Sequence, residues 1–444
     1  MMDKTVGIIA EYNPFHKGHE YHIRRSKEMT GAKYCIVVMS GDYVQRGQAA
    51  LVNKYERTKW ALNHGADLVL ELPVPLCCAS AEYFAKGGVR ILNDTGCVDF
   101  LSFGSECGDI EALDKISSIL ENEDDTFKAV MQDGLKNGLS YPVARATALE
   151  CTLRERPLDS LDPEDAARIL RDPNNVLALE YIRALSHFES VIRPITVKRQ
   201  GTAYNDDEPD VFYKNGRNEN DTTGNDVSDK VEEFVSASAI RKALKDIGSA
   251  YIRDAVPQDV YETLTASPLL FDDDLSGLIH YRLLTSRNTR GDYTSFGDIS
   301  IELSNRMENH LTDYTILSEF ISLLKTRNYT HSRISRALLN ILLDIYKYDL
   351  SGIKRRDYGT GYATLLGFRK DSGELLSAIK EKGKLKLITK QSDLKEINDS
   401  EIRRFMEMNL CSSAIYDCLI KGKYGSDPKA LAYGDHAAFS PIVV

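Results

Sequence analysis

The sequence predicts an α/β protein with a parallel sheet, followed by a mainly helical region and a small mixed α/β C-terminal region. Three observations carry that prediction. In the first hundred residues four short apolar runs alternate with amphipathic stretches. Apolar strands separated by helices imply a parallel sheet covered on both faces. Helical periodicity then dominates between Pro257 and Tyr348, and short strand and helix patterns mix again from Tyr358. The expected organisation is an α/β catalytic domain over 1–250, a helical domain over 251–350 and a C-terminal region over 351–444.

The elements follow in order. Thr5–Ala10 is the first strand-sized run, and Gly18 to Met29 is amphipathic with helical spacing. Tyr34–Ser40 is a second strand, and Lys54–His64 reads as a helix. Asp67–Leu72, Ala81–Leu92 and Asp99–Phe103 read as strand, helix and strand. Ile110 to Ser190 is mostly helical, and Ile192–Lys198 is another strand. Asn205 to Lys230 is rich in Asn, Asp and Gly and reads as a mobile surface loop, long for a compact domain. Helical spacing resumes at Ser238, and Arg333–Tyr346 is one of the helices expected beyond it. There are no internal repeats.

The chain has 444 residues, 42% hydrophobic and 27% charged, enough for a sizeable core and two to three domains. Mean hydropathy is −0.33. No apolar run reaches the length of a bilayer span, and no export signal precedes the first strand, so a cytoplasmic protein without membrane contact is expected. The 8 cysteines form no C-x-x-C pair and read as reduced, packed side chains, with no metal site assigned. A net charge of −10 argues against a broadly basic nucleic-acid binder. Binding needs only a local basic face, however. Ser351–Lys390 offers one, with ten basic residues against four acidic ones. Lys354, Arg355 and Arg356 head that segment and are the candidate RNA contacts.

The most informative string is Ile9-Ala10-Glu11-Tyr12-Asn13-Pro14-Phe15-His16-Lys17-Gly18-His19-Glu20-Tyr21-His22. A strand ends, Asn13-Pro14 turns, and a helix begins near Gly18, so His16-Lys17-Gly18-His19 lies at a helix N-terminus. That end carries unpaired N–H groups and positive dipole. Two imidazoles there can donate to phosphate oxygens where charge builds at an α-phosphate. Gly18 leaves room for a nucleotide against the backbone. A second segment, Val235-Ser236-Ala237-Ser238-Ala239-Ile240-Arg241, places Ser236 or Ser238 as a helix cap and Arg241 one turn on, within reach of a triphosphate. The competing readings are a pair of loop histidines and a capped helix with a surface arginine.

Both segments resemble the nucleotidyltransferase superfamily that includes class I aminoacyl-tRNA synthetases, which implies a Rossmann-like sheet of the HUP type. Longer strings narrow the resemblance: Glu11 to His16, Gly41-Asp42-Tyr43-Val44-Gln45-Arg46-Gly47, Gly65 to Pro73, Phe103-Gly104-Ser105-Glu106, Pro173-Asn174-Asn175 and Leu366-Gly367-Phe368. Together they are similar to the bacterial tRNA(Met) cytidine acetate ligase family. That resemblance implies ATP-dependent activation of acetate as acetyl-adenylate and N4-acetylation of the wobble cytidine of elongator tRNA(Met). It implies ATP contacts along Ile9–His22, at Gly104, at Asn174 (with Asn175 as the alternative) and at Arg199. His16, His19 and Arg241 are the expected catalytic residues, with Lys17 a second candidate for the β- and γ-phosphates. Mg²⁺ is expected with the triphosphate, without an assigned ligand, and no obligate protein partner is implied. One departure is Asn205 in Tyr204-Asn205-Asp206, where the family pattern has His. The other readings are an adenylyltransferase acting on a phosphorylated metabolite and a non-enzymatic RNA- or nucleotide-binding protein.

Overall fold

A computed structural model of the chain describes residues 3–199, 234–425 and 440–444. The polar segment Asn205–Lys230, and Asn205 itself, lie outside the described residues. Strands β1 (Thr5–Ala10), β2 (Tyr34–Ser40), β5 (Leu68–Leu72), β6 (Phe100–Ser105) and β7 (Arg193–Lys198) form the parallel part of one sheet in the order β5-β2-β1-β6-β7. A short antiparallel hairpin of β3 (Tyr43–Val44) and β4 (Gln48–Ala49) follows β2.

The strands were expected as fully apolar runs because both faces are covered, and the register shows it. Val6, Ile8, Val37, Met39 and Val69 join one core with Ile23 and Trp60. Those two belong to helices α1 (Lys17–Thr30) and α2 (Lys54–Asn63). Ile36, Val38, Leu68, Leu70 and Leu101 face a second core. It includes Phe84 and Val89 of α4 (Ala81–Asp94), which follows the single-turn α3 (Val74–Cys77). Alternate residues thus belong to different cores, as the two-residue period of a strand requires.

Helices α5 (Ile110–Glu121), α6 (Asp125–Lys136), α7 (Tyr141–Glu155), α8 (Pro163–Ile169) and α9 (Pro173–His187) lie between β6 and β7. After β7 come α10 (Ala237–Asp246) and α11 (Gln258–Ala266). The helical middle continues with α12 (Ser276–Arg290), α13 (Ile301–Asn309), α14 (Leu317–Leu324), α15 (His331–Leu342) and α16 (Lys347–Arg355). The C-terminal part contributes β8 (Tyr362–Phe368), α17 (Gly373–Lys382), β9 (Lys386–Ile388), α18 (Ser400–Tyr424) and β10 (Ile442–Val443).

The expected boundary at 351 does not coincide with an edge of the sheet. β8 pairs antiparallel with β5, and β9 and β10 line its other side, so the C-terminal part completes the same sheet. A buried polar cluster fastens it: Lys54 Nζ reaches Glu71 at 2.8 Å and Ser413 Oγ at 3.0 Å, and Ser413 donates to Asp42 at 2.7 Å. A second buried cation, Arg57, is fully enclosed. It donates to the carbonyls of Glu11 (2.8 Å), Ser40 (3.0 Å), Val52 (3.1 Å) and Gly41. It ties together the carboxyl ends of β1 and β2.

Candidate active site

The strand order reverses between β1 and β6, and in such sheets ligands sit beyond the carboxyl ends of the strands at that point. A cavity of about 290 Å³ lies there. Its lining includes Ile9, Ala10, Glu11, Tyr12, Asn13, His16, His19 and His22 from the first motif. Gly104, Asn174, Arg199, Ser236, Ser238 and Arg241 complete the convergence of segments that are far apart in sequence. Pro14, Phe15, Lys17, Gly18, Glu20 and Tyr21 do not line it. Phe15 is buried against Tyr12 and His64, Lys17 points to solvent, and Glu20 bonds His64 at 3.0 Å. Tyr21 packs on Phe234, and Pro14 makes a cis bond with Asn13.

The histidines are held by the helix they begin. His16 is the N-cap of α1, and its Nδ1 accepts the Gly18 N–H at 3.1 Å. His19 Nδ1 accepts the His16 N–H at 3.3 Å, closing a capping box made of two imidazoles. With both Nδ1 atoms accepting, the single proton of each neutral ring sits on Nε2, the donor left for a ligand. The rings stack with centroids 3.7 Å apart. Burial, then the Arg199 charge, lowers the His16 pKa to about 3, and the same causes lower that of His22 to about 4. His19 is shifted the same way by burial and by His16. All three are neutral donors at neutral pH. His22 follows the same logic: Ser26 donates to the His22 carbonyl at 2.6 Å, so Ser102 donates to Ser26 and accepts from His22 Nε2 at 3.0 Å.

Gly18 has a steric reason within the protein itself. A Cβ there would lie 2.8 Å from His16 Cε1, so the glycine makes room for the capping ring. At Gly104 the nearest atom to a Cβ is Arg199 Cγ at 3.3 Å, so the bare strand lets the Arg199 stem lie across it.

The pair Asn174 and Asn175 separates cleanly. Asn175 is fully buried, and its Oδ1 accepts the N–H groups of Glu106 (2.9 Å) and Cys107 (3.2 Å). Asn174 lines the cavity beside Arg199, whose Nη1 lies 3.5 Å from Asn174 Oδ1. Glu106 closes the arrangement by accepting both backbone N–H groups, at 3.2 and 2.8 Å, and the Asn174 amide at 2.6 Å. It satisfies the first turn of α9, a role its position in Phe103-Gly104-Ser105-Glu106 did not disclose.

Ser236 caps α10 by accepting the Ala239 N–H at 3.2 Å. Arg241 donates to the Asn13 carbonyl at 2.6 Å and to Ser238 at 3.3 Å, joining the histidine segment to the serine-rich one. Asn13 Oδ1 in turn accepts the Leu51 N–H at 2.8 Å. Sequence reasoning missed Gln45, Arg46 and Gln48, which the β3–β4 hairpin brings to the cavity. Gly47 has φ +76, and a Cβ there would meet the Arg336 backbone N at 2.4 Å, so the hairpin tip rests directly on α15. A glycine after a two-residue tip between Val44 and Gln48 was the available signal.

The basic triad behaves unevenly. Arg355 pairs with Glu401 at 2.8 Å and Arg356 with Asp399 at 2.8 Å, at the start of α18. Lys354 is exposed, and its charge acts on Glu82, next to the cavity residue Ala81. Among the described residues no cluster of His, Cys, Asp and Glu has a metal-site arrangement. No described helix is long and apolar enough to cross a membrane.

A strand-order reversal, a doubly capped H-x-G-H turn and a serine-rich helix start with its arginine define a HIGH-type nucleotidyl transferase. The family model described as HIGH Nucleotidyl Transferase matches residues 2–429, and the chain belongs to that family. Within it, the chain is a member of the tRNA(Met) cytidine acetate ligases. The protein of that name from Acetivibrio thermocellus is 37% identical over 93% of this chain and 94% of its own length. The one from Clostridium kluyveri is 34% identical over 99% of each. Thermotoga maritima TmcAL, solved bound with alpha-thio ATP, superposes with a TM-score of 0.83 at 28% identity, covering 99% of both chains. Its apo form gives the same TM-score at 27% identity.

Proposed function

We propose that the chain is an ATP-dependent ligase that activates acetate as acetyl-adenylate and transfers the acetyl group to N4 of the wobble cytidine of elongator tRNA(Met). The observation that carries this reading is the convergence of His16, His19, Gly104, Asn174, Arg199 and Arg241 on one cavity at the strand-order reversal. The names of the relatives, tRNA(Met) cytidine acetate ligases, support acetate and a cytidine of tRNA(Met) as the substrates.

Acetate attacks the α-phosphorus and pyrophosphate leaves. The Nε2–H groups of His16 and His19 are placed to stabilise charge on the α-phosphate, as preorganised donors do. Arg241, on the side of Asn13 and Ser238, takes the outer phosphates. Lys17 is exposed in this structure, which favours Arg241 for that part. Asn174 and Gly104 line the nucleoside end, with Arg199 between them. The mixed anhydride is then reactive enough for the exocyclic amine of cytosine, whose lone pair is delocalised into the ring. Mg²⁺ would ride on the triphosphate, held by phosphate oxygens and water.

The tRNA is assigned to the face that carries Lys354, beside the N-terminus of α4. Arg355 and Arg356 contribute less there because both are engaged by α18. The reading places the protein in the cytoplasm with its tRNA. The test incubates the protein with ATP, labelled acetate and transcribed tRNA(Met), followed by nucleoside mass analysis. N4-acetylcytidine with release of AMP and pyrophosphate is expected. Acetylation that needs acetyl-CoA and ignores acetate overturns the reading, and AMP joined to a small product establishes an adenylyltransferase.

A further inference from the structure

The cavity is lined by three histidines and three arginines, as a polyanion requires, yet it also contains a carboxylate. Glu11 is the one acidic residue among the described lining residues. A carboxylate at the carboxyl end of β1 repels a triphosphate, so its presence needs a reason of its own.

Its placement gives one. The Glu11 carbonyl is fixed by Arg57 at 2.8 Å, and its Oε1 accepts the Gln45 N–H at 2.7 Å. Oε2 has no hydrogen-bond partner among the described residues, and the side chain is only part-buried. Glu11 is therefore a preorganised acceptor with one oxygen open to the cavity. It lies on the hairpin side, with Oε1 on the Gln45 N–H and with Arg46 and Gln48 among its neighbours in the cavity lining. Neither His16 nor His19 can serve as the acceptor, because each spends Nδ1 on capping and presents its proton on Nε2.

We infer that Glu11 is the catalytic base that takes the proton from the cytidine amine during acetyl transfer, with the acceptor base entering from the hairpin side. This rests on the ligase reading above. In the step, the exocyclic nitrogen bonds to the acyl carbon and one N–H proton passes to Glu11 Oε2. The tetrahedral intermediate then collapses, its C–O bond to phosphate breaks, and AMP leaves as the phosphate monoester. Glu11 releases its proton to solvent. Atoms and charge balance without a further reactant.

Glu11→Gln is the informative variant, because the amide oxygen still accepts the Gln45 N–H while the basic oxygen is lost. Two rates are compared: acetate-dependent ATP–pyrophosphate exchange, and single-turnover acetyl transfer to tRNA(Met) from preformed enzyme-bound adenylate. General-base catalysis contributes roughly 100- to 10,000-fold. Transfer should therefore fall by about 100-fold or more relative to exchange. If both rates fall together, Glu11 only braces the hairpin, and the inference is overturned. If transfer in the variant matches wild type, it is overturned as well. Failure of the wild-type protein to acetylate tRNA would instead remove the ligase reading itself.

Discussion

At the scale of single residues, His16 does two jobs with two nitrogens. Nδ1 caps α1 and Nε2 faces the cavity, so replacement by alanine would remove both. Asn is among the best N-caps. His16→Asn should therefore keep the helix start while losing the ligand donor. ATP–pyrophosphate exchange should drop by roughly 100-fold, the range for one transition-state donor. The thermal midpoint should move by only a few degrees. Near-normal exchange would remove His16 from the mechanism. The depressed pKa values carry a second expectation. Histidine titrates near 6.5 when unfolded, against about 3 for folded His16 and about 4 for His22. The unfolded chain thus takes up protons that the folded chain refuses, and stability falls as pH drops below about 6.5. By pH 5 each histidine should account for about 2 kcal/mol. Urea midpoints between pH 8 and 5 measure the slope. It should be shallower by about one proton in His16→Asn, and an unchanged slope would show that His16 titrates normally.

At the scale of elements, the hairpin and the start of α9 show what a sequence can and cannot disclose. The helix start at His16-Lys17-Gly18-His19 was legible because its residues are contiguous and follow a strand. Asn174 was legible through resemblance, but the reason it faces the cavity lies in Glu106, which holds the α9 start from 68 and 69 residues away. No local pattern encodes such a pairing. Gln45 and Arg46 were quoted within a family string but given no role, since contacts distant in sequence aim them: Gly47 on α15 and the Gln45 N–H on Glu11. Gly47→Ala tests this. A left-handed residue other than glycine costs about 1–3 kcal/mol. Gly31→Ala carries the same backbone strain, at φ +64, with nothing within 4 Å of the added carbon. Gly47→Ala should be the more destabilising of the two in chemical denaturation and should also reduce exchange activity. Equal losses would mean that the hairpin tip can yield.

At the scale of the whole molecule, the sheet joins parts that sequence reasoning had divided. Leu366-Gly367-Phe368 carried a family signal, but nothing in the spacing told that it pairs with Val69 and Leu68. Apolar runs reveal strands without revealing neighbours. A chain ending at residue 350 would leave β5 with an open edge and Lys54 without Ser413. Such a fragment should fail to melt cooperatively by circular dichroism, and a cooperative fragment that catalysed exchange would show the C-terminal part to be separable. For RNA, Lys354→Glu should weaken tRNA affinity and flatten its salt dependence by about one counter-ion. Binding equal to wild type would move the RNA face elsewhere.

The late arrival of β8 has a consequence in time. Its partner β5 is complete at Leu72, whereas β8 begins at Tyr362. At roughly 5–20 residues per second of synthesis, about 15–60 seconds separate the two strands on the ribosome. Throughout that interval the outer edge of β5 is an unpaired template, while its other edge can already pair with β2. The nascent chain is therefore most exposed to intermolecular association before its last hundred residues appear, and slower translation would lengthen that window.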